Sequence, residues 1–147
     1  MFEFRIFEPE DLHDVMSIVH RELRYEYNPD FYLKMHTAWK EGFIVATYFR
    51  KIIGFIVAGV TTTRSLRILL VATSTEFKKK GVASSLLNHI TKMAISRRIS
   101  RIFLEVRVEN VNAIKFYQRK GYLVLKRVSG FYNDGGDAYV MERILSS

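Results

Sequence analysis

Thr73 to Leu87 reads TSTEFKKKGVASSLL, and Leu104 to Tyr122 reads LEVRVENVNAIKFYQRKGY. In the first stretch an apolar run ends at Thr73. Lys78, Lys79, Lys80 and Gly81 follow, and then Val82, Leu86, Leu87, Ile90 and Ala94 recur at helical spacing through Arg97. The pattern predicts a strand, a basic glycine turn and an amphipathic helix. A helix N-terminus offers unbonded backbone N–H groups and the positive end of the dipole. A glycine there lets a ligand approach the backbone, and a diphosphate is its natural guest. The turn is neither G-x-G-x-x-G nor a Walker A loop, so those nucleotide folds are excluded. A basic turn with glycine for tightness is the plainer reading. In the second stretch Ile102–Val108 predicts a strand and Asn110–Lys120 a helix, stopped by Gly121 at its C-cap.

Outward from these blocks, Phe2–Phe7 predicts a short strand, and Pro9-Glu10-Asp11 opens a helix carrying Leu12, Val15, Met16, Val19 and Leu23 on one face. An aromatic loop at 24–29 leads to a helix over Asp30–Trp39. Phe43–Phe49 and Ile52–Thr62 predict strands joined tightly at Arg50-Lys51, and Arg67–Thr73 a third. Tyr122–Val128 and Ala138–Ile144 are strands joined by the loop GFYNDGGD. The result is an α/β fold in one domain over 1–147, a mixed and mostly antiparallel sheet flanked by helices.

The 147 residues are 48% hydrophobic and 26% charged, which excludes a disordered chain. Cysteine is absent, so no disulfide scaffold, thiolate metal site or cysteine nucleophile is available, and a reducing cytoplasm suits the chain. His13, His20, His36 and His89 lack zinc spacing, and no metal is expected. The longest apolar run, Ile52–Val60, is too short to span a bilayer, and MFEFRIFEPEDL resembles no targeting segment. Net charge is +8, but residues 64–127 alone hold 15 basic and 3 acidic residues. That half is expected to face an anion, such as nucleic acid, an anionic membrane or a phosphorylated small molecule, or to be merely solvated.

Thr73–Leu87 resembles the acetyl-CoA-binding segment of the GCN5-related N-acetyltransferase (GNAT) superfamily, whose pattern Gln/Arg-x-x-Gly-x-Gly/Ala reads here Lys78-x-x-Gly81-x-Ala83. Asn110, Ala113, Ile114, Tyr117, Gly121 and Tyr122 match the family's next block. Within the superfamily the chain looks most like protein N-terminal acetyltransferases. Phe131 to Ala138, FYNDGGDA, resembles their Tyr-Tyr-x-Asp-Gly-Glu-Asp-Ala, with Gly136 in place of the glutamate. Asn28-Pro29-Asp30-Phe31-Tyr32 resembles their Leu-Pro-Glu-Asn-Tyr. The resemblance implies acetyl-CoA as cosubstrate, held by Val71, Thr73, Lys78, Lys79, Lys80, Gly81, Val82, Ala83, Ser84, Asn110 and Tyr117. It implies Glu105 as base, Tyr117 as acid, and Asp30, Phe31 and Tyr132 at the acceptor. Tyr25, Tyr27 and Tyr32 are further groove candidates. The implied partners are protein or peptide N-termini, met at the ribosome, with the chain a monomer or homodimer that binds neither specific DNA nor a membrane.

The chemistry fits these residue types. A peptide α-amine has a pKa of about 7.7–8.0, so roughly a tenth is neutral at pH 7 and a modest base suffices. A lysine amine costs about 3 kcal/mol more to deprotonate. Glu105 interrupts an apolar strand, where a carboxylate is costly to bury unpaired. The alternative is a strand glutamate paired with Arg101 or Arg107. Tyr117 can protonate a leaving thiolate or be a core aromatic, and Asn110 can be a helix cap. A backbone N–H near Val71 or Thr73 can serve a developing oxyanion. Phe77 and Phe103 are read as core. Two competing functions remain: the same chemistry on a lysine, polyamine or small amine, and a non-catalytic basic RNA- or ribosome-binding module. The first is separated by assaying peptides against free amines. The second predicts salt-dependent RNA binding without acetyl-CoA binding.

Overall fold

The computed structural model describes residues 1–23, 28–61 and 64–145. Its elements are β1 (Phe2–Ile6), α1 (Leu12–Ile18), α2 (Pro29–Ala38), β2 (Phe43–Tyr48), β3 (Lys51–Val60), β4 (Ser65–Thr73), α3 (Val82–Ser96), β5 (Arg101–Arg107), α4 (Val111–Arg119), β6 (Leu123–Val128) and β7 (Ala138–Ile144). The strands form one seven-stranded sheet in the order β1-β2-β3-β4-β5-β7-β6. The β4–β5 pair is parallel and the others are antiparallel. The expected element order and mixed sheet are therefore observed. Most ends shift by one or two residues, but the first helix is α-helical only over Leu12–Ile18, with a 3-10 turn at Pro9–Asp11 before it and a π turn at Val19–Leu23 after it. Helix α2 starts at Pro29 because the Asn28 side chain accepts the Asp30 N–H at 2.9 Å, which makes Asn28 the cap and leaves proline at a position that needs no N–H. No helix among the described residues is long and apolar enough to cross a membrane.

Two apolar layers sandwich the sheet. On one face Val82, Leu86, Leu87, Ile90 and Ala94 of α3 are all buried, at 2% exposure or less, against Ile53, Ile56, Leu66 and Ile102. Burying each large side chain is worth about 1.5–3 kcal/mol, which fixes α3 over the sheet centre. The α4 residues Ala113, Ile114, Phe116 and Tyr117 extend this layer. On the other face Val15, Ile18 and Val19 meet Tyr32, Phe43 and Phe55, with the Phe7 and Phe43 rings stacked 4.0 Å apart. Tyr32 is wholly buried here, so it is a core residue and not a groove residue. Tyr25 and Tyr27 lie outside the described residues.

The sheet opens in the middle. The β4–β5 register runs Ser65↔Arg101, Leu66↔Ile102 and Arg67↔Phe103 and then stops. On its other side β4 pairs Val57↔Leu70 and Ala58↔Ile68 with β3, leaving Leu69 as an extra residue. A bulge bends and twists its strand, and here the pairing with β5 is lost just before it. From Ile68 to Thr73, β4 therefore has β3 on one side and a cleft on the other.

Candidate active site

The cleft carries two cavities that share Leu23, Val71 and Ala113. One, of about 550 Å³, is walled by the end of β4, the start of α3, and Phe116 and Arg119 of α4. The other, of about 440 Å³, lies between the separated parts of β4 and β5 and is closed by Asn110, Tyr117, Phe31 and Tyr132.

The first cavity has the makings of an anion site. Gly81 precedes α3 at φ +84°, and a Cβ there would meet nothing within 4 Å. No side chain caps the helix. The first helical bond is Ser85 N–H to Gly81 C=O at 3.0 Å, so the N–H groups of Val82, Ala83 and Ser84 have no acceptor within the helix. Val71, Thr73, Lys78 and Lys79 line this cavity with Gly81, Val82, Ala83 and Ser84, as expected. Lys80 does not line it. Lys78 is not a free cation either: its ammonium lies 2.9 Å from Glu22, a carboxylate the sequence reading missed. Phe77, expected in the core, is half-buried and forms part of the cavity wall.

Backbone donors face the cleft from β4. Ser74 N–H donates to Ile53 C=O at 2.8 Å. Alternation along the antiparallel register Gly54↔Thr73, Phe55↔Ala72, Ile56↔Val71 then turns the N–H groups of Thr73 and Val71 away from β3. They point to the side where β5 has departed.

The second cavity holds the candidate acid and base. Glu105 sits on β5 with its side chain 14% exposed. Its partner is neither Arg101 nor Arg107 but Arg67 of β4, whose Nε and Nη2 each lie 3.0 Å from Oε1. The reason is competition. Arg101 donates to Glu142 at 2.9 Å and lies 4.3 Å over the Phe103 ring, which is thereby half-buried rather than core. Arg107 pairs with Asp134 at 3.0 Å. Both Arg67 contacts fall on Oε1, and Oε2 makes no hydrogen bond among the described residues. Arg67 is the lone charge in SLRILLVAT, but nothing in that stretch points it at Glu105.

Tyr117 is partly exposed on the same wall, packed on Tyr122 with ring centroids 5.4 Å apart. Burial pushes its phenol up from the ordinary value near 10 to about 12, so it keeps its proton at neutral pH. Asn110 caps α4, accepting Ala113 N–H at 3.2 Å, and lines the Glu105 cavity rather than the α3 cavity. Tyr117 also belongs to the Glu105 cavity alone.

At the acceptor end Phe31 and Tyr132 line the cavity. Asp30 does not: it sits with Leu33, Lys34, Thr37 and Ala38 at a separate surface hollow. The Arg107 guanidinium lies 4.1 Å over the Tyr132 ring while it holds Asp134, and so fixes this wall. A Cβ on Gly136 would stand 2.5 Å from Arg107 Nη1. A side chain at that position, where the family pattern has glutamate, would require the end of the Arg107 side chain to shift. The Gly136 N–H and then Arg107 hold the Asp134 carboxyl below the usual range.

The family model described as Acetyltransferase (GNAT) family matches residues 12–122. The chain belongs to the GNAT acetyltransferase family. A curated N-alpha-acetyltransferase of Saccharolobus solfataricus is 28% identical, over 98% of this chain and 93% of that protein. The crystal structure of Ard1 from Thermoplasma volcanium is 32% identical with a TM-score of 0.94, covering 99% of each chain. Naa20 of Chaetomium thermophilum, solved in complex with a bisubstrate analogue, is 25% identical with a TM-score of 0.90, over 97% of this chain and 86% of that one. This GNAT domain is an N-acetyltransferase, and its open sheet is the acyl-CoA N-acyltransferase fold.

Proposed function

We propose that the protein acetylates the N-terminal α-amine of proteins or peptides by direct attack of the amine on acetyl-CoA. The observation that carries this reading is the meeting of the two cavities at Val71, with an anion-binding helix start on one side and Glu105 and Tyr117 on the other. The names of the similar proteins support the α-amine as acceptor.

The residues present fit the cosubstrate. The N–H groups at the start of α3, with Lys79 and Lys78, hold the diphosphate. Bound acetyl-CoA supplies an activated thioester carbonyl. One of the outward N–H groups of β4, that of Val71 or that of Thr73, donates to the oxygen on which charge develops. Glu105, oriented through Oε1 by Arg67, uses Oε2 to take the ammonium proton, directly or through one water. The neutral amine nitrogen bonds to the carbonyl carbon, the carbon–sulfur bond breaks, and Tyr117 gives its proton to the departing sulfur; the nitrogen sheds its second proton as the amide forms, and that proton restores the Tyr117 phenol through solvent. The raised pKa keeps the phenol protonated until the carbon–sulfur bond breaks, though it also makes Tyr117 a weaker acid. Phe31 and Tyr132 seat the first residues of the acceptor.

The glycine turn gives one prediction. Gly81→Val puts a branched side chain into the anion site, and acetyl-CoA affinity should fall tenfold or more, about 1.4 kcal/mol or above. Gly135→Val is the control: φ is +87° and a Cβ again meets nothing within 4 Å, so backbone strain is matched outside the anion site. It should leave acetyl-CoA affinity unchanged in a calorimetric titration. The function itself is tested by titrating acetyl-CoA and then assaying thiol release with short peptides, polyamines and other free amines. Peptides with free N-termini should be the substrates. Turnover of free amines alone would contradict the proposal.

A further inference from the structure

Glu22 is a carboxylate inside the cavity that must hold an anion. It lies in a π turn, Val19–Leu23, a winding found often at functional sites. Its side chain is only 9% exposed. Oε1 lies 2.9 Å from the Lys78 ammonium. The Thr75 hydroxyl donates to Oε2 at 2.8 Å and the Thr75 N–H donates to it at 3.0 Å. The preceding residue, Arg21, donates to Ser74 Oγ at 3.3 Å. Two adjacent side chains thus grip the segment joining β4 to the glycine turn. Burial alone would raise the Glu22 carboxyl, but Lys78 and Thr75 together hold it below the usual carboxylate range, so it is charged. A diphosphate that engages Lys78 must share its ammonium with the Glu22 carboxylate.

We propose that Glu22 is a positioning residue that fixes the 74–78 segment in the free enzyme and competes with the cosubstrate's diphosphate for Lys78, so that it lowers CoA affinity and eases product release. The inference rests on the acetyl-CoA reading above. It assigns Glu22 a task opposite in sign to simple structural support.

Calorimetric titration with CoA, with no acceptor present, tests it. Glu22→Gln keeps an oxygen for the Thr75 N–H but removes the charge that holds Lys78. CoA should then bind about threefold to fivefold tighter, a gain in keeping with a partly exposed ion pair. The gain should shrink at high salt. In a Lys78→Met background the same change should alter affinity by less than about twofold, because the two side chains act as one unit. Weaker or unchanged binding by Glu22→Gln overturns the proposal. So does an equal gain in the Lys78→Met background, which is direct repulsion of the ligand by Glu22. A second comparison needs no change at Glu22. Lys78→Met should cost less CoA affinity than Lys79→Met, since Lys78 alone of the two shares its charge with a carboxylate among the described residues, and an equal or larger cost overturns the proposal. Failure of the wild-type protein to bind CoA overturns the acetyl-CoA reading and this inference with it.

Discussion

Tyr117→Phe should lower kcat by about 10²–10⁴ while acetyl-CoA affinity and folding stability hold. The change removes one oxygen. The phenol makes no hydrogen bond among the described residues, and the ring contacts with Tyr122 and Phe116 survive in phenylalanine. A purely structural tyrosine would therefore be replaced at almost no cost. The raised phenol pKa of about 12 sharpens the expectation. The group does not ionise in the assay range, so the wild-type profile should show no loss of activity from Tyr117 between pH 7 and 10. A fall in kcat of less than threefold would make the tyrosine structural, or show that water protonates the sulfur in its place.

Glu105→Gln should make the rate follow the fraction of substrate amine that is already neutral. Glutamine keeps an oxygen for Arg67, so the contact across the cleft is retained while proton acceptance is lost. At pH 7 the variant should be slow. Raising the pH toward 9 should restore much of the loss on a peptide α-amine, whose pKa is about 7.7–8.0. On a lysine amine, with a pKa of about 10.4, recovery over the same range should be weak. Wild type should already be fast at pH 7. The measurement is kcat/KM against pH for both proteins, and coincident profiles would remove Glu105 from the mechanism.

The parts of this account that were legible in the sequence are local ones. The apolar face of α3, the Gly81 turn and the Asn110 cap each depend on residues within a few positions of one another; the first two stand as expected, and the cap is the alternative that the sequence offered for Asn110. The ion pairs were not legible, because the crossovers bring their partners together from far apart. Arg67 and Glu105 are 38 residues apart, and Glu22 and Thr75 are 53 apart. Nothing in SLRILLVAT announces that β5 leaves β4 after Arg67 or that Leu69 is an extra residue, since both follow from how two neighbouring strands pair. Asp30 was misplaced for a related reason. Its motif position suggested the groove, but the Asn28 cap sets the start of α2 and leaves Asp30 at a separate hollow. Gly136 shows the reverse case: a departure from the family pattern became intelligible once Arg107 was seen against it.

The central claim is that the acceptor is an N-terminal α-amine, and site-resolved mass spectrometry tests it most directly. One peptide carries a free N-terminus and an internal lysine; a second has the same sequence with the N-terminus blocked. Both are incubated with the enzyme and acetyl-CoA at pH 7. The account predicts acetyl on the α-amine of the first peptide, with the lysine of both left nearly untouched. Faster acetylation of the blocked peptide, or acetyl found on the lysine while the free N-terminus stays bare, would contradict it.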